Sequence, residues 1–128
     1  MKIVSFAWTS PALVAGRKTV TRRDWNDDYA RRFKAGDLVA AYNRQPRHRG
    51  EQIATIRIVS VAKEPLSTMP DSDYEGEGFA FLAANPHLLP KSGDFSDPWM
   101  VSRERFAQSQ RASACMWVVR FELVEVVG

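Results

Sequence analysis

Apolar residues along this chain fall into short clusters separated by polar, glycine- or proline-bearing breaks, and each cluster predicts one element. Residues 3–8, apolar and aromatic, predict a first strand. Ser10-Pro11 suits an N-cap with proline at the first helical position, residues 12–15 give one helical turn, and Gly16 closes it. Thr19-Val20-Thr21 favours extended backbone, residues 27–33 a short amphipathic helix, and residues 34–37 a turn that launches a strand over 38–42. A polar, arginine-rich hairpin loop follows at 43–50.

Residues 52–61 alternate, with Ile53, Thr55, Arg57, Val59 and Val61 on one face and Ala54, Ile56, Ile58 and Ser60 on the other. Apolar side chains on both faces predict a strand buried more than one way, as in a closed barrel. Ser72 and Glu75 have capping-box spacing ahead of a helix near 72–84. Residues 85–98 read as a loop, 99–110 as a short helix and 116–126 as a long final strand. Phe6, Trp8, Tyr42 and Trp117 are expected to fill the barrel. With no repeat, low-complexity tract or linker, the expectation is an α+β fold, a small mixed β-barrel with peripheral short helices, forming one domain over residues 1–128.

Composition narrows the class. At 45% hydrophobic residues the chain has the content of a globular fold, and intrinsic disorder is excluded. No apolar run approaches the roughly 20 residues that span a bilayer. The N-terminal residues lack a signal-peptide pattern, and the one cysteine, Cys115, has no internal disulfide partner and reads as a buried small hydrophobe. A cytoplasmic location is the expectation. His48 and His87 match no ligand spacing, so neither a metal nor another cofactor is expected.

The net charge of +3 is unevenly spread. Residues 17–49 hold ten Lys/Arg against four Asp, a balance of +6, and the remainder carries −3. That asymmetry points to an anionic partner for the first half, set against a basic face that is merely solvated.

The densest chemistry lies in Gly16-Arg17-Lys18-Thr19-Val20-Thr21-Arg22-Arg23, four cations and two hydroxyls in eight residues. Like charge disfavours the ammonium form of Lys18 and makes it a better base. Thr21 is a potential nucleophile, or a plain β-former. Arg17, Arg22 and Arg23 offer forked donors for phosphate or carbonyl oxygens, with Asp24 or Asp37 as alternative structural partners. Trp25, just past the run, is a candidate for stacking on a base, and Arg44, Arg47 and Arg49, with His48 among them, for facing phosphate. One geometric demand stands out. Residues three apart on a regular strand point to opposite faces, so Lys18 and Thr21 meet within hydrogen-bond reach only if the backbone breaks at Thr19-Val20, with Gly16 at positive φ upstream.

This run resembles the signature GxKxxxxR of the ASCH family, filled here by Gly16, Lys18 and Arg23; Phe33, Gly36 and Asp37 resemble the F-x-x-G-D element that follows, and residues 117–123 its closing strand. The resemblance implies a PUA-like β-barrel, related to RNA-binding folds, with a cleft beside the signature. A bacterial branch consists of amidohydrolases that deacylate N(4)-acetylcytidine with a K-x-x-T pair and a later glutamate. Lys18 and Thr21 fill the pair, Glu77 is matched to the glutamate, and Glu75 competes with it. The 44–49 loop and a long 85–112 insertion depart from that branch and leave the substrate open. The resemblance therefore implies a protein that binds a nucleoside or RNA base and deacylates N(4)-acylcytidine. The alternatives are a non-catalytic module binding single-stranded RNA or, with no acid–base couple in view, a ribonuclease. Neither a membrane partner nor a metal is expected, and the oligomeric state is open.

Overall fold

The computed structural model describes residues 1–93, 95–109 and 115–127. Its strands are β1 (Lys2–Ser5), β2 (Val20–Arg23), β3 (Leu38–Tyr42), β4 (Gln52–Pro65) and β5 (Cys115–Val126). They form one sheet in the order β1-β3-β4-β5-β2, with β1 parallel to β3 and the other pairs antiparallel. Two register shifts in the β4–β5 ladder, at Thr55/Ile56 and Ile58/Ser60, bend and twist the long strands. The sheet curls into a half-barrel whose concave side buries Val4, Phe6, Val39, Ile56 and Phe121.

The ladder does not close, because β1 and β2 remain its two edges. Burial of β4 is correspondingly lopsided. Ala54, Ile56 and Ile58 are buried, whereas Arg57 and Val59 are exposed on the convex side, where Arg57 pairs with Glu122 of β5. The two-sided burial expected for 52–61 holds only at Thr55, beside a bulge, and at half-buried Ile53 and Val61.

β1 stops at Ser5, short of the expected residue 8. Ala7 takes φ 46 and the chain turns into a 3-10 helix at Ala7–Thr9. The Phe6 and Ala7 carbonyls accept from the Thr9 and Ser10 hydroxyls at 2.8 and 2.7 Å, which locks the turn. Ser10 therefore does not cap; α1 (Ser10–Val14) has Thr9 at the cap position, and Gly16 follows at φ 73. Helix α2 (Asp27–Ala30) is a single turn, capped by Asn26 Oδ1 accepting from the Asp28 amide at 2.8 Å, with Phe33 beyond it in the core.

The helix expected over 72–84 is two, α3 (Ser72–Gly76) and α4 (Phe79–Ala84), broken at Gly78 with φ 90. Asp71, not Ser72, precedes α3, and no side-chain cap bond forms. In the expected loop and helix over 85–110, 3-10 turns occupy Pro86–Leu88 and Pro98–Val101 before α5 (Arg103–Ser109); Gln110 lies outside the described residues. Leu89 and Val101 from this stretch bury Ala12 and Leu82 in a second apolar cluster.

Of the aromatics expected inside the barrel, Phe6 is there. Trp8 is outside it, stacked on Phe79 and on Phe95, and Trp117 lies half-buried with its Nε1 donating to Asp27. Tyr42 is half-buried, and Cys115, opening β5, is exposed rather than buried. No helix among the described residues is long and apolar enough to cross a membrane.

Candidate functional site

The gap between the edges β1 and β2 opens a cleft of about 390 Å³. Its floor is polar, with Lys18, Thr21, Arg22, Arg23 and Glu77; its walls include Phe6, Trp8, Met69 and Phe79. The segment before β2 is pinned from both sides. The Arg17 and Lys18 amides donate to the Ala12 carbonyl of α1, and the Thr19 amide donates to Gly76 of α3 at 2.7 Å. Lys18 thus precedes the strand and escapes its alternation, so Lys18 and Thr21 both reach the cleft. The expected Lys18–Thr21 hydrogen bond does not form among the described residues, because the ammonium is turned to Glu77.

Lys18 is 3% exposed, and its Nζ donates to Glu77 Oε1 and to the Glu77 carbonyl, both at 2.9 Å. Glu77, the residue capping α3, is 6% exposed; its Oε2 accepts from Arg22 Nη1 at 3.2 Å. Arg22 Nη2 donates to Asp73 Oδ2 at 2.6 Å, and the Arg120 fork spans both Asp73 oxygens at 2.9 Å. The result is one chain, Lys18–Glu77–Arg22–Asp73–Arg120.

Burial pushes the Lys18 ammonium below the ordinary lysine range. Glu77 opposes that fall, and the positive charges of Arg23 and Arg22 add to it. Burial pushes the Asp73 carboxyl up, but hydrogen bonds from Arg120 and Arg22 outweigh it and hold the group below the ordinary aspartate value. Thr21 Oγ1 accepts from Arg23 Nε at 3.2 Å. Arg23 Nη2 crosses the open seam to the Ser5 carbonyl at 2.7 Å, with the guanidinium 5.3 Å from the Phe6 ring centre.

Other expected ligand-binding residues lie elsewhere. Arg17 is outside the cleft, paired at the surface with Glu75 at 3.1 Å and resting on Phe81. Glu75 points away from Lys18, so the two competing glutamates are geometrically distinct. Trp25 does not line the main cleft; it stacks on Phe33 and meets Tyr29 edge-on, beside a second, smaller cavity. Arg44, Arg47 and Arg49 are exposed on the hairpin loop, also outside the main cleft. Asp37 pairs with Lys2, and neither it nor Asp24 holds Arg22 or Arg23.

The motif spacing does not single out Asp73 or Arg120. Two signals were available: Asp73 lies four residues before Glu77, the spacing of one helical face, and Arg120 interrupts an apolar strand. Among the described residues no three His, Cys, Asp or Glu side chains converge as a metal site.

By sequence, the chain matches no family model and no curated protein. By fold it is similar to solved structures. A DUF984 protein from Enterococcus faecalis V583 is 16% identical with a TM-score of 0.59, over 98% of this chain and 81% of that one. The ASCH domain from Lactobacillus crispatus JV V101 is 14% identical with a TM-score of 0.54, over 95% of this chain and 79% of that one. The fold is therefore the mixed α+β, PUA-like fold of the ASCH domain, in agreement with the signature resemblance.

Proposed function

We propose that the cleft binds a nucleobase and hydrolyses an N-acyl amide on N(4) of cytidine, with Thr21 as nucleophile, Lys18 as proton acceptor and Glu77 as its positioning partner. The observation that carries this reading is the convergence of a buried Lys18–Glu77 pair and Thr21 on one aromatic-walled cavity. Its volume lies at the lower end of the roughly 300–1,000 Å³ typical of small-molecule sites. Phe6, Trp8 and Phe79 line the cavity with aromatic surface for a base to pack against.

The chemistry follows from the contacts. Thr21 Oγ1 accepts from Arg23, which leaves its own proton free to depart and sets a positive charge beside the oxygen as it attacks. The lowered pKa of Lys18 raises the neutral fraction able to take that proton. The Oγ–acyl bond forms and the acyl–N(4) bond breaks, with the proton passing from Lys18 to the departing amine. Water, deprotonated by the same lysine, then cleaves the acyl-threonine and restores the enzyme.

Incubation with N(4)-acetylcytidine is expected to release cytidine and acetate. Lys18→Ala and Thr21→Ala should each lose about 10²–10⁴-fold in turnover while remaining folded by circular dichroism. A wild type without turnover, or a fully active Lys18→Ala, overturns the proposal.

One observation favours a second reading, a non-catalytic RNA-binding module. Arg44, Arg47 and Arg49 are all exposed and have no ion pair among the described residues.

A further inference from the structure

The connected charges at the cleft do not balance. Three cations line it, Lys18, Arg22 and Arg23, against one carboxylate, Glu77, while Asp73 lies behind Arg22 and is shared with Arg120. Lys18 bonds to Glu77, Arg120 to Asp73, and Arg22 to both. Arg23 bonds to neither and has no ion pair among the described residues. Its Nε is used by Thr21 and its Nη2 by Ser5, while Nη1 has no hydrogen-bond partner there. Every buried side-chain nitrogen and oxygen among the described residues does have a partner, so Nη1 is not buried, and Arg23 lines the cleft.

Arg23 also sits on a border. On its other side lies the smaller cavity, about 200 Å³, walled by Trp25, Tyr29, Gln45 and Pro46; the two cavities share Ser5 and Arg23. Pro46 begins a 3-10 turn, Pro46–His48, that contains the exposed Arg47 and lies between the exposed Arg44 and Arg49.

We propose that Arg23 is a phosphate site and that the ligand is a nucleotide rather than a nucleoside, its base in the larger cavity and its phosphate on Arg23 where the two cavities meet. This rests on reading the larger cavity as a base site. A neutral nucleoside would leave a half-buried guanidinium without a direct ion-pair partner, whereas a phosphate oxygen accepts a charge-assisted bond from Nη1 and adds negative charge beside it. The phosphate belongs either to a free mononucleotide or to an RNA chain that continues towards the 44–49 loop.

Calorimetric titration with cytidine, with its 5′- and 3′-monophosphates, with inorganic phosphate and with a cytidine trinucleotide tests this. None of these probes carries an acyl group, so binding is read apart from turnover. One monophosphate should bind about tenfold or more tighter than cytidine. That ratio should fall to near one in Arg23→Gln and survive in part in Arg23→Lys. Equal affinities in the wild type, or a ratio retained in Arg23→Gln, overturn the inference. Should Arg23→Gln not fold, the wild-type ratio must shrink as salt rises, and a salt-independent ratio overturns it equally. If cytidine and its phosphates fail to bind but inorganic phosphate binds and is lost in Arg23→Gln, the base reading fails and the phosphate site stands. If phosphate fails too, both fall. A trinucleotide that gains over the monophosphate, and loses the gain in Arg47→Ala, assigns the phosphate to RNA; no gain assigns it to a free nucleotide.

Discussion

Asp73 accepts three short hydrogen bonds from two arginines at 3% exposure, and it holds the far end of the chain that positions Lys18. Removing one member of a buried ion pair leaves an uncompensated charge, so Asp73→Asn should cost about 3 kcal/mol at neutral pH, measured by urea unfolding. The pH dependence has a fixed sign. The folded pKa of Asp73 lies below its ordinary 3.8, so its stabilisation is complete above that value and is lost as pH falls through the folded pKa. The gap between wild type and Asp73→Asn should therefore be full at pH 7 and shrink below 3.8; a gap that widens in acid contradicts this assignment. At this scale half the site was legible. Gly16, Lys18, Thr21 and Arg23 announce themselves because they share one short run. Glu77 and Asp73 lie fifty or more residues away, and Glu75 competes on composition alone. Helical geometry separates them: Asp73 and Glu77, four apart, fall on one face, and Glu75 between them points out to Arg17.

The elements that carry the site are short, and they hold their positions through close backbone approach. Gly78 breaks the expected helix into α3 and α4, and a Cβ there would sit 2.6 Å from Ala12 Cβ. Gly16 has a similar conformation, φ 73, but nothing lies within 4 Å of where its Cβ would be. The two glycines should respond differently. Gly16→Ala meets only the left-handed backbone cost, about 1 kcal/mol, while Gly78→Ala adds a clash that pushes α1 from α4 and should cost at least about 2 kcal/mol. Thermal unfolding of both variants checks the order, and equal losses would place the whole effect in the backbone. Turn chemistry also explains which elements could be read ahead. The turn at 34–37 carries its glycine and aspartate, and β3 runs over the expected Leu38–Tyr42. Nothing about an alanine announces a left-handed residue, so the apolar pattern predicts a strand running past Ala7 where the chain in fact turns at the lip of the cleft.

Across the whole molecule, the half-barrel leaves an open seam, and this chain places its Gly16–Arg23 run on the β2 side of that seam and its basic loop beyond Tyr42, the β3 residue that pairs with Ser5 at the end of β1. The fold class could be read from alternation and turn spacing; the failure to close could not, because closure depends on bulges that periodicity does not encode. Charge distribution was legible in part. Of the ten basic residues in 17–49, Lys18 and Arg22 are buried in ion pairs with Glu77 and Asp73 and add nothing to an outward field. Arg32, Lys34, Arg44, Arg47 and Arg49 remain as exposed cations without ion pairs among the described residues, and the last three, which share one loop, contribute to the long-range attraction to a polyanion. If single-stranded RNA is the partner, each phosphate they neutralise releases counterions, and log affinity falls with log salt by roughly 0.7 per contact. Replacing Arg44, Arg47 and Arg49 by alanine should therefore reduce the magnitude of that slope by about 2, while the proposed hydrolysis of free N(4)-acetylcytidine in the main cleft should be unaffected. Fluorescence titrations of a labelled oligonucleotide over a range of salt concentrations measure the slope; one that does not change in the triple variant removes the loop from RNA binding and leaves the cleft alone to recognise its ligand.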